Sequence, residues 1–176
     1  SAFVSDHTTS TRGVTEALIS AFEHVNAHQG GVAVVAAADA PRASMWDPLE
    51  HAMGAGAAGF VLSSEDLVAE IEGTASFTME HFGERFKPAG WESLQDLSVK
   101  KFFASAFTAC TTKACSSLMK KLGAKPEEYA HVVIQQPDAK TPGSVAGKLM
   151  FNDGQMASGM VAPNLGDLGA ASTAVV

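Results

Sequence analysis

Two cysteines and two closely spaced histidines are among the side chains of this chain whose types and spacing could do chemistry. Cys110 and Cys115 fall in one segment with a helical pattern, about 140° apart around the axis, which disfavours a disulfide. Mid-helix thiols near an apolar stripe lack the electropositive, exposed setting that lowers a thiol pKa, so we interpret both as core residues. His24 and His28 have a metal-ligand spacing, but two ligands are too few for a zinc site, which favours a solvated helix face.

A glycine-rich segment, Gly54-Ala-Gly56-Ala-Ala-Gly59, matches the dinucleotide-binding pattern letter for letter. That pattern holds a pyrophosphate only when a strand precedes it and a helix follows, because the helix N-terminus supplies the amides. Here the apolar residues 60–62 predict a strand after the glycines instead. We therefore favour close packing of a buried strand and keep a nucleotide-binding dehydrogenase as an alternative.

The elements that must position these residues alternate between helical and strand patterns, which predicts an α/β fold. Helices are predicted at 13–28, 98–122 and 141–150, and strands at 32–38, 55–62, 69–79 and 131–136. Residues 80–96 read as a connection, and 164–172 as a glycine-rich turn. The strand at 32–38 is apolar throughout, so we expect both of its faces to be buried. The long helix carries an apolar stripe at 3.6-residue spacing, which we expect to bury Phe103, Phe107, Cys110 and Leu118.

Composition limits the class of protein. With 46% hydrophobic and 18% charged residues, the chain is typical of a soluble globular domain. A net charge of −7 with only 12 lysines and arginines argues against a nucleic-acid partner. No apolar run approaches the roughly 20 residues of a membrane span, and residues 1–13 lack the regions of a signal peptide. Together with the reduced thiols, this predicts a cytoplasmic protein without a membrane partner.

Three segments together resemble the hydroxymethylglutaryl-CoA synthase and ketoacyl-carrier-protein synthase III branch of the thiolase superfamily. The first, Thr11-Arg-Gly-Val-Thr-Glu-Ala-Leu18, is similar to the family's nucleophile helix, where a cysteine precedes a Gly- and Thr-containing turn and an Ala-Leu pair. The second, His131-Val-Val-Ile-Gln-Gln-Pro137, resembles the family's strand ending in His-Gln-Pro-Asn. The third, Gly166-Asp-Leu-Gly-Ala-Ala-Ser172, is similar to its Gly-Asn-Thr-Ser-Ala-Ala-Ser turn.

The resemblance implies a thiolase-like layered α-β-α-β-α fold, of which this chain holds about half. It places the end of the N-terminal half at 1–79, a connection at 80–97 and part of the C-terminal half at 98–176. Sheet edges left open invite aggregation. We therefore expect a fragment, a chain with omitted segments, or a half-domain completed by another chain.

The resemblance also places Thr11, Gln135 and Asp167 at the family's catalytic cysteine, histidine and asparagine. A threonine hydroxyl without an adjacent base is a weak substitute for a thiolate at a helix N-terminus. Gln135 has no pKa near 7, so it cannot act as a general base. An ionised Asp167 would put negative charge where an oxyanion must form. We expect no catalytic residue here, with these three as vestigial positions that converge in one pocket.

The function that follows is a non-catalytic, hydroxymethylglutaryl-CoA synthase-like subunit of an acyltransferase complex. Its Gln and Asp replacements resemble the synthase-like subunit of the bacterial diacetylphloroglucinol-type complex. That resemblance implies as partners a second copy of the chain, an active thiolase subunit and an OB-fold zinc-ribbon protein, or some of these. It implies acyl-CoA as a substrate of the complex, with no metal and no covalent cofactor. The alternative is a catalytically active acyl-CoA C-acyltransferase whose nucleophile lies elsewhere.

Overall fold

The computed structural model describes residues 2–8, 10–28, 30–79, 85–97 and 100–175, with the backbone only at positions 100 and 102. Helices and short strands follow one another in mixed order, as the sequence predicts. The regular elements are α1 Gly13–Ala27, β1 Ala33–Asp39, β2 Gly56–Leu62, β3 Arg85–Phe86, β4 Gln95–Asp96, α2 Lys100–Leu122, α3 Thr141–Lys148, α4 Asp153–Met156 and α5 Ala162–Leu165. Single 3-10 turns lie at Pro126–Glu128, Ala157–Gly159 and Gly169–Ala171.

The first structural unit is a helix on a two-stranded sheet. β1 pairs antiparallel with β2, with Ala33 opposite Leu62 and Asp39 opposite Gly56. Helix α1 packs against β1. The buried side chains of this unit are Val14 and Val25 on the helix and Val35 and Ala37 on the strand.

The other face of this sheet is exposed, so the expectation of a strand buried on both faces is wrong for the described chain. Val34 is 74% exposed and Val61 is 73% exposed, and burial alternates along β1. Successive side chains of a strand point to opposite faces. α1 and the Gly169–Ala171 turn pack on the sheet face that carries Val35 and Ala37. The apolar residues that alternate with these two point to the other face and are therefore uncovered.

The glycine-rich segment lies within and before β2, and no helix follows it. A Cβ atom on Gly54 would collide with the carbonyl of Leu165, and one on Gly56 would lie 3.2 Å from a methyl carbon of Leu168. Gly54 and Gly56 therefore permit close packing, and a strand follows the glycines where dinucleotide binding needs a helix. The expectation that this strand is buried is wrong, because Val61 is 73% exposed and no residue of β2 is fully buried.

The second unit is a small helical core around α2 and α3. Its fully buried members are Ile134, Val145, Ala146, Leu149 and Met156. The predicted stripe on α2 is only half-buried at Phe103, Phe107, Cys110 and Leu118, whereas Ala106 and Thr108 are buried. The predicted helix start, residue 98, lies outside the described residues. None of the described helices is long and apolar enough to cross a lipid bilayer.

Two predicted strands, 69–79 and 131–136, form no ladder in the described chain. The first lies along α2, where Lys121 donates to the carbonyl of Thr74 at 3.2 Å and Lys113 lies 4.6 Å from the ring centre of Phe77. A sequence in which apolar and polar residues alternate favours an extended backbone, but a strand also needs a neighbouring strand to pair with. The predicted connection at 80–96 does contain one short antiparallel hairpin, β3–β4.

Candidate functional site

The turn at residues 166–172 is the centre of the candidate site, and glycine makes its path possible. Gly166 has a φ of 76° and Gly169 a φ of 56°, the left-handed region that favours glycine. A Cβ atom on Gly169 would also collide with the carboxylate of Asp39. That carboxylate accepts the amide of Ala170 at 2.9 Å, so the end of β1 is fastened to this turn.

Asp167 is buried, and both of its carboxylate oxygens have donors. Oδ1 accepts the amide of Gly169 at 2.9 Å, and Oδ2 lies 3.2 Å from Nη1 of Arg85. Its backbone amide donates to the carbonyl of Ala52 at 2.7 Å, and its carbonyl accepts the amide of Gly54 at 2.9 Å. Asp167 therefore joins the turn, the segment before β2 and the β3–β4 hairpin.

Gln135 meets Asp167 at the same glycine. Its side-chain Nε2 donates to the carbonyl of Gly169 at 3.0 Å, while Asp167 binds the amide of that residue. Residues 32 positions apart in sequence thus bind the backbone N–H and the backbone C=O of one residue in the turn. Both side chains therefore bond to the backbone of Gly169.

Gln136 fixes the backbone from which Gln135 projects. It is fully buried, and its side chain donates to the carbonyl of Gly159. Its Oε1 accepts the amides of Val161 at 3.0 Å and Ala162 at 2.8 Å, and its own amide donates to Oγ of Ser172 at 3.3 Å. A buried amide side chain with these partners is a structural anchor.

Thr11 lies on the exposed surface just before α1. Two residues later, Gly13 faces the same turn, since a Cβ atom there would lie 4.0 Å from Cβ of Ala170 and 2.8 Å from the carbonyl of His7. The start of α1 therefore adjoins the turn that holds Gln135 and Asp167. That the Thr11 side chain shares one pocket with them stays a prediction.

The electrostatics of the site are dominated by the burial of Asp167. Burial raises the pKa of its carboxyl above the ordinary value, and the nearby Asp39 acts in the same direction. The hydrogen bond from Gly169 and the charge of Arg85 oppose this rise in the pKa. Compared with an exposed aspartate, burial thus favours the neutral form of this acid, and Arg85 and the amide of Gly169 favour the carboxylate.

A cleft of about 460 Å³ opens beside Asp167. Asp138 lines it and accepts the amides of Lys140 and Thr141, each at 2.7 Å. Burial acts to raise the pKa of Asp138, but these hydrogen bonds and the charge of Arg85 together lower it below its ordinary value. The remaining lining residues are His51, Ala52, Met53, Ala139, Ala162, Pro163, Asn164, Leu165, Gly166 and Asp167.

Sequence reasoning missed Arg85 and Asp39, which the fold brings to the turn. Asp39 carried a usable signal, because it follows directly after an apolar strand, where side chains at the end of a strand often meet a site. Arg85 carried no signal, since it lies in a segment without a clear period.

The cysteines and the histidine pair lie away from the turn. Both cysteines are half-buried in α2, and burial raises the pKa of the Cys115 thiol, in agreement with a core role. The rings of His24 and His28 are exposed and stack with their centres 4.3 Å apart. Within the described ranges, no group of three or more His, Cys, Asp or Glu side chains is arranged to hold a metal ion.

Known proteins similar to this chain are hydroxymethylglutaryl-CoA synthases. The enzyme of Methanopyrus kandleri is 31% identical over 134 residues, which are 74% of this chain and 37% of the relative. That of Archaeoglobus fulgidus is 32% identical over 136 residues, again 74% of this chain and 37% of the relative. The chain therefore matches little more than a third of these relatives' length. No family model matches it.

Solved structures of the same kind of protein share the fold. HMG-CoA synthase complexed with CoA superposes with a TM-score of 0.81 at 15% identity, over 94% of this chain and 45% of the other. MvaS in complex with 3-hydroxy-3-methylglutaryl coenzyme A gives a TM-score of 0.72 at 18% identity, over 94% and 49%. The α/β, thiolase-like fold predicted from the sequence is thereby confirmed. This chain belongs to the thiolase-like superfamily, among the proteins related to hydroxymethylglutaryl-CoA synthase.

Proposed function

We propose that this chain is a non-catalytic, hydroxymethylglutaryl-CoA synthase-like subunit of a complex that condenses acyl-CoA. The observation that carries the proposal is the use of Gln135 and Asp167 at Gly169. Both side chains serve the backbone of the turn. In a condensing site, by contrast, donors must point at the oxygen on which charge develops.

Asp167 is the sharpest departure from a condensing site. Its ionised carboxylate only accepts hydrogen bonds, and it already accepts them from Gly169 and Arg85. Loss of one oxyanion donor costs on the order of 10²- to 10³-fold in rate. An acceptor at position 167, where the resemblance implies an asparagine donor, therefore argues against turnover.

The cysteines do not supply a substitute nucleophile. Acyl transfer of this type needs a thiolate, which forms readily at a helix N-terminus or beside a cation. Cys110 and Cys115 lie far from the N-terminal end of α2, and burial raises the pKa of Cys115. Thr11 offers only a hydroxyl at the position that the resemblance gives to the nucleophile.

The same proposal includes ligand and partners. Since the two solved relatives contain CoA and 3-hydroxy-3-methylglutaryl coenzyme A, we take acyl-CoA as the substrate of the complex, with no covalent cofactor. The partners are a second copy of the chain, an active thiolase subunit and an OB-fold zinc-ribbon protein, or some of these, in the cytoplasm. The uncovered β1–β2 face around Val34 and Val61 suits such an assembly, because large exposed apolar patches mark interaction sites.

Intact-mass measurement after incubation with acetyl-CoA tests the proposal. We expect no acyl adduct on the protein, whereas a hydroxymethylglutaryl-CoA synthase treated in parallel should gain one. An adduct that maps to this chain would overturn the proposal and favour the alternative, an active acyl-CoA C-acyltransferase. Thr11→Cys is the matched variant, because a thiol there tests whether the position can receive an acyl group.

A further inference from the structure

Among the described residues, Arg85 is the one cation that contacts Asp167, and it makes three different contacts. Its Nη1 lies 3.2 Å from Asp167, its Nε lies 3.1 Å from Asp96, and its guanidinium carbon lies 5.2 Å from the ring centre of Phe103. The side chains of Arg85 and Asp96 are 24% and 21% exposed, and that of Asp167 is 7% exposed. This guanidinium is therefore shared between two carboxylates, those of Asp167 and Asp96, and packs on an aromatic ring.

The protonation state of Asp167 decides what the site can do. A carboxylate accepts hydrogen bonds only, but a carboxylic acid carries one O–H donor. A buried acid kept neutral can serve as an oxyanion donor, as in ketosteroid isomerase. A neutral Asp167 would thus come chemically closer to the asparagine that the resemblance implies at this position.

We propose that Arg85 is a positioning residue that holds Asp167 as a hydrogen-bond-accepting carboxylate and so keeps an oxyanion donor out of the site. The inference rests on the proposed function in one respect, the assignment of the turn at residues 166–172 as an acyl-CoA site. The β3–β4 hairpin, which carries both Arg85 and Asp96, thereby controls the charge at the turn.

Groups on several elements act on Asp167, and their effects can be separated. Arg85 and the amide of Gly169 favour the charged form, whereas burial and Asp39 favour the neutral form. Asp96 shares the guanidinium and so weakens its effect on Asp167. The titratable and charged groups that face Asp167 or share its cleft are Arg85 on β3, Asp39 on β1, Asp96 on β4, His51 before β2, and Asp138 before α3.

The test is an NMR titration of the Asp167 carboxyl carbon, assigned by the signal that Asp167→Asn removes. In Arg85→Met we expect proton affinity to rise about tenfold or more, since a neighbouring arginine lowers an aspartate pKa by roughly one to three units. Arg42→Met is the matched control, because Arg42 pairs at 3.4 Å with exposed Glu92. It should leave the titration unchanged. An unchanged midpoint in Arg85→Met, or an equal rise in Arg42→Met, would overturn the proposal.

Asp96→Asn provides a second measurement that leaves Arg85 in place and is the safeguard if Arg85→Met does not fold. With less competition for the guanidinium, Asp167 should bind its proton more weakly than in the wild type. A midpoint that stays or rises would overturn the proposal. Because neither titration involves acyl transfer, these outcomes are independent of the acyl-adduct test of the proposed function.

Discussion

At the scale of single residues, the polar side chains of the candidate site meet at the backbone of one residue, Gly169. Gln135 binds the carbonyl of Gly169, and Asp167 binds its amide. Asp39 holds the next amide of the turn. Each of these polar side chains therefore stabilises the shape of the turn.

Asp167→Asn tests the electrostatic cost of burying this acid. Burial raises the pKa of Asp167 in the folded state, so the folded protein binds this proton more tightly than the unfolded chain. Its contribution to stability is present below the unfolded carboxyl pKa of about 3.9 and is lost as the pH rises through the folded pKa. The wild type should therefore lose stability relative to Asp167→Asn as the pH rises through this window. Urea unfolding at a series of pH values measures this difference in the free energy of unfolding. A wild type that gains stability relative to Asp167→Asn over that window would contradict the prediction.

Asp138→Ala tests the cap that precedes α3. Asp138 accepts the amides of Lys140 and Thr141 and the hydroxyl of Thr141. Losing such a cap costs about 0.5–2 kcal/mol, and the exposure of Asp138 places the value toward the lower end. Partial burial acts to raise the pKa of Asp138, but the hydrogen bonds from Thr141 and Lys140 and the charge of Arg85 lower it overall. This stabilisation is therefore present above the unfolded pKa and is lost as the pH falls through the folded one. Chemical denaturation at neutral and acidic pH should show the loss only at neutral pH, with exposed Asp6→Ala unchanged.

At the scale of elements, chain geometry explains how α3 ends. α3 ends at Lys148, and the amide of Phe151 returns to the carbonyl of Ala146 at 3.0 Å. Met150 adopts the left-handed region at this turn, with a φ of 65°. Glycine is the usual residue at this position because it has no Cβ atom to crowd the carbonyl. The hydrogen bond from Phe151 therefore closes the helix end, although Met150 is strained there.

Met150→Gly should stabilise the protein. The left-handed conformation costs a non-glycine residue about 1–2 kcal/mol, and Met150 is 77% exposed, so little packing is lost. Part of the gain is offset by the greater freedom of glycine in the unfolded chain, which leaves roughly 0.5–1 kcal/mol. Lys148→Gly, two residues earlier and inside α3, should instead cost about 1 kcal/mol. Thermal unfolding of both variants checks the opposite signs, and destabilisation by Met150→Gly would refute the argument.

At the scale of the whole molecule, this chain has the thiolase-like fold over part of its relatives' length. The superpositions cover 94% of this chain but only 45% and 49% of the two solved structures. One face of β1–β2 carries Val34, Val61 and the small residues between them without cover. An apolar sheet face of this kind is stable in water when another surface packs on it.

Val34→Lys with Val61→Lys tests whether a second copy covers this face. A specific interface buries at least roughly 1,000 Å² in total, and two desolvated lysines at its centre should abolish it. Sedimentation velocity should give an assembly for the wild type and a folded 18.2 kDa monomer for the double variant. Val68→Lys is the control, because Val68 is fully exposed elsewhere, and it should associate like the wild type. A monomeric wild type at micromolar concentration would defeat the prediction.

The sequence by itself indicated α1, α2 and α3, the two strands predicted at 32–38 and 55–62, and, by resemblance, the superfamily. Periodicity and the glycine and proline signals at helix ends are local properties, so α1 and α3 were predicted nearly to the residue. The resemblance named Gln135 and Asp167 as site positions, and in the structure both bond to the backbone of Gly169. The role of the glycines near Gly54 also followed from their neighbours in sequence.

Only the tertiary structure decided which apolar faces are covered, which extended segments find a partner, and which charges meet. Val34 and Val35 are the same residue type in the same strand, but the helix lies on one side alone. Arg85 reaches Asp167 across 82 positions of sequence. Neither fact leaves a local signal, because burial and ion pairing depend on neighbours that are distant in the chain, and those neighbours are fixed only when the chain folds.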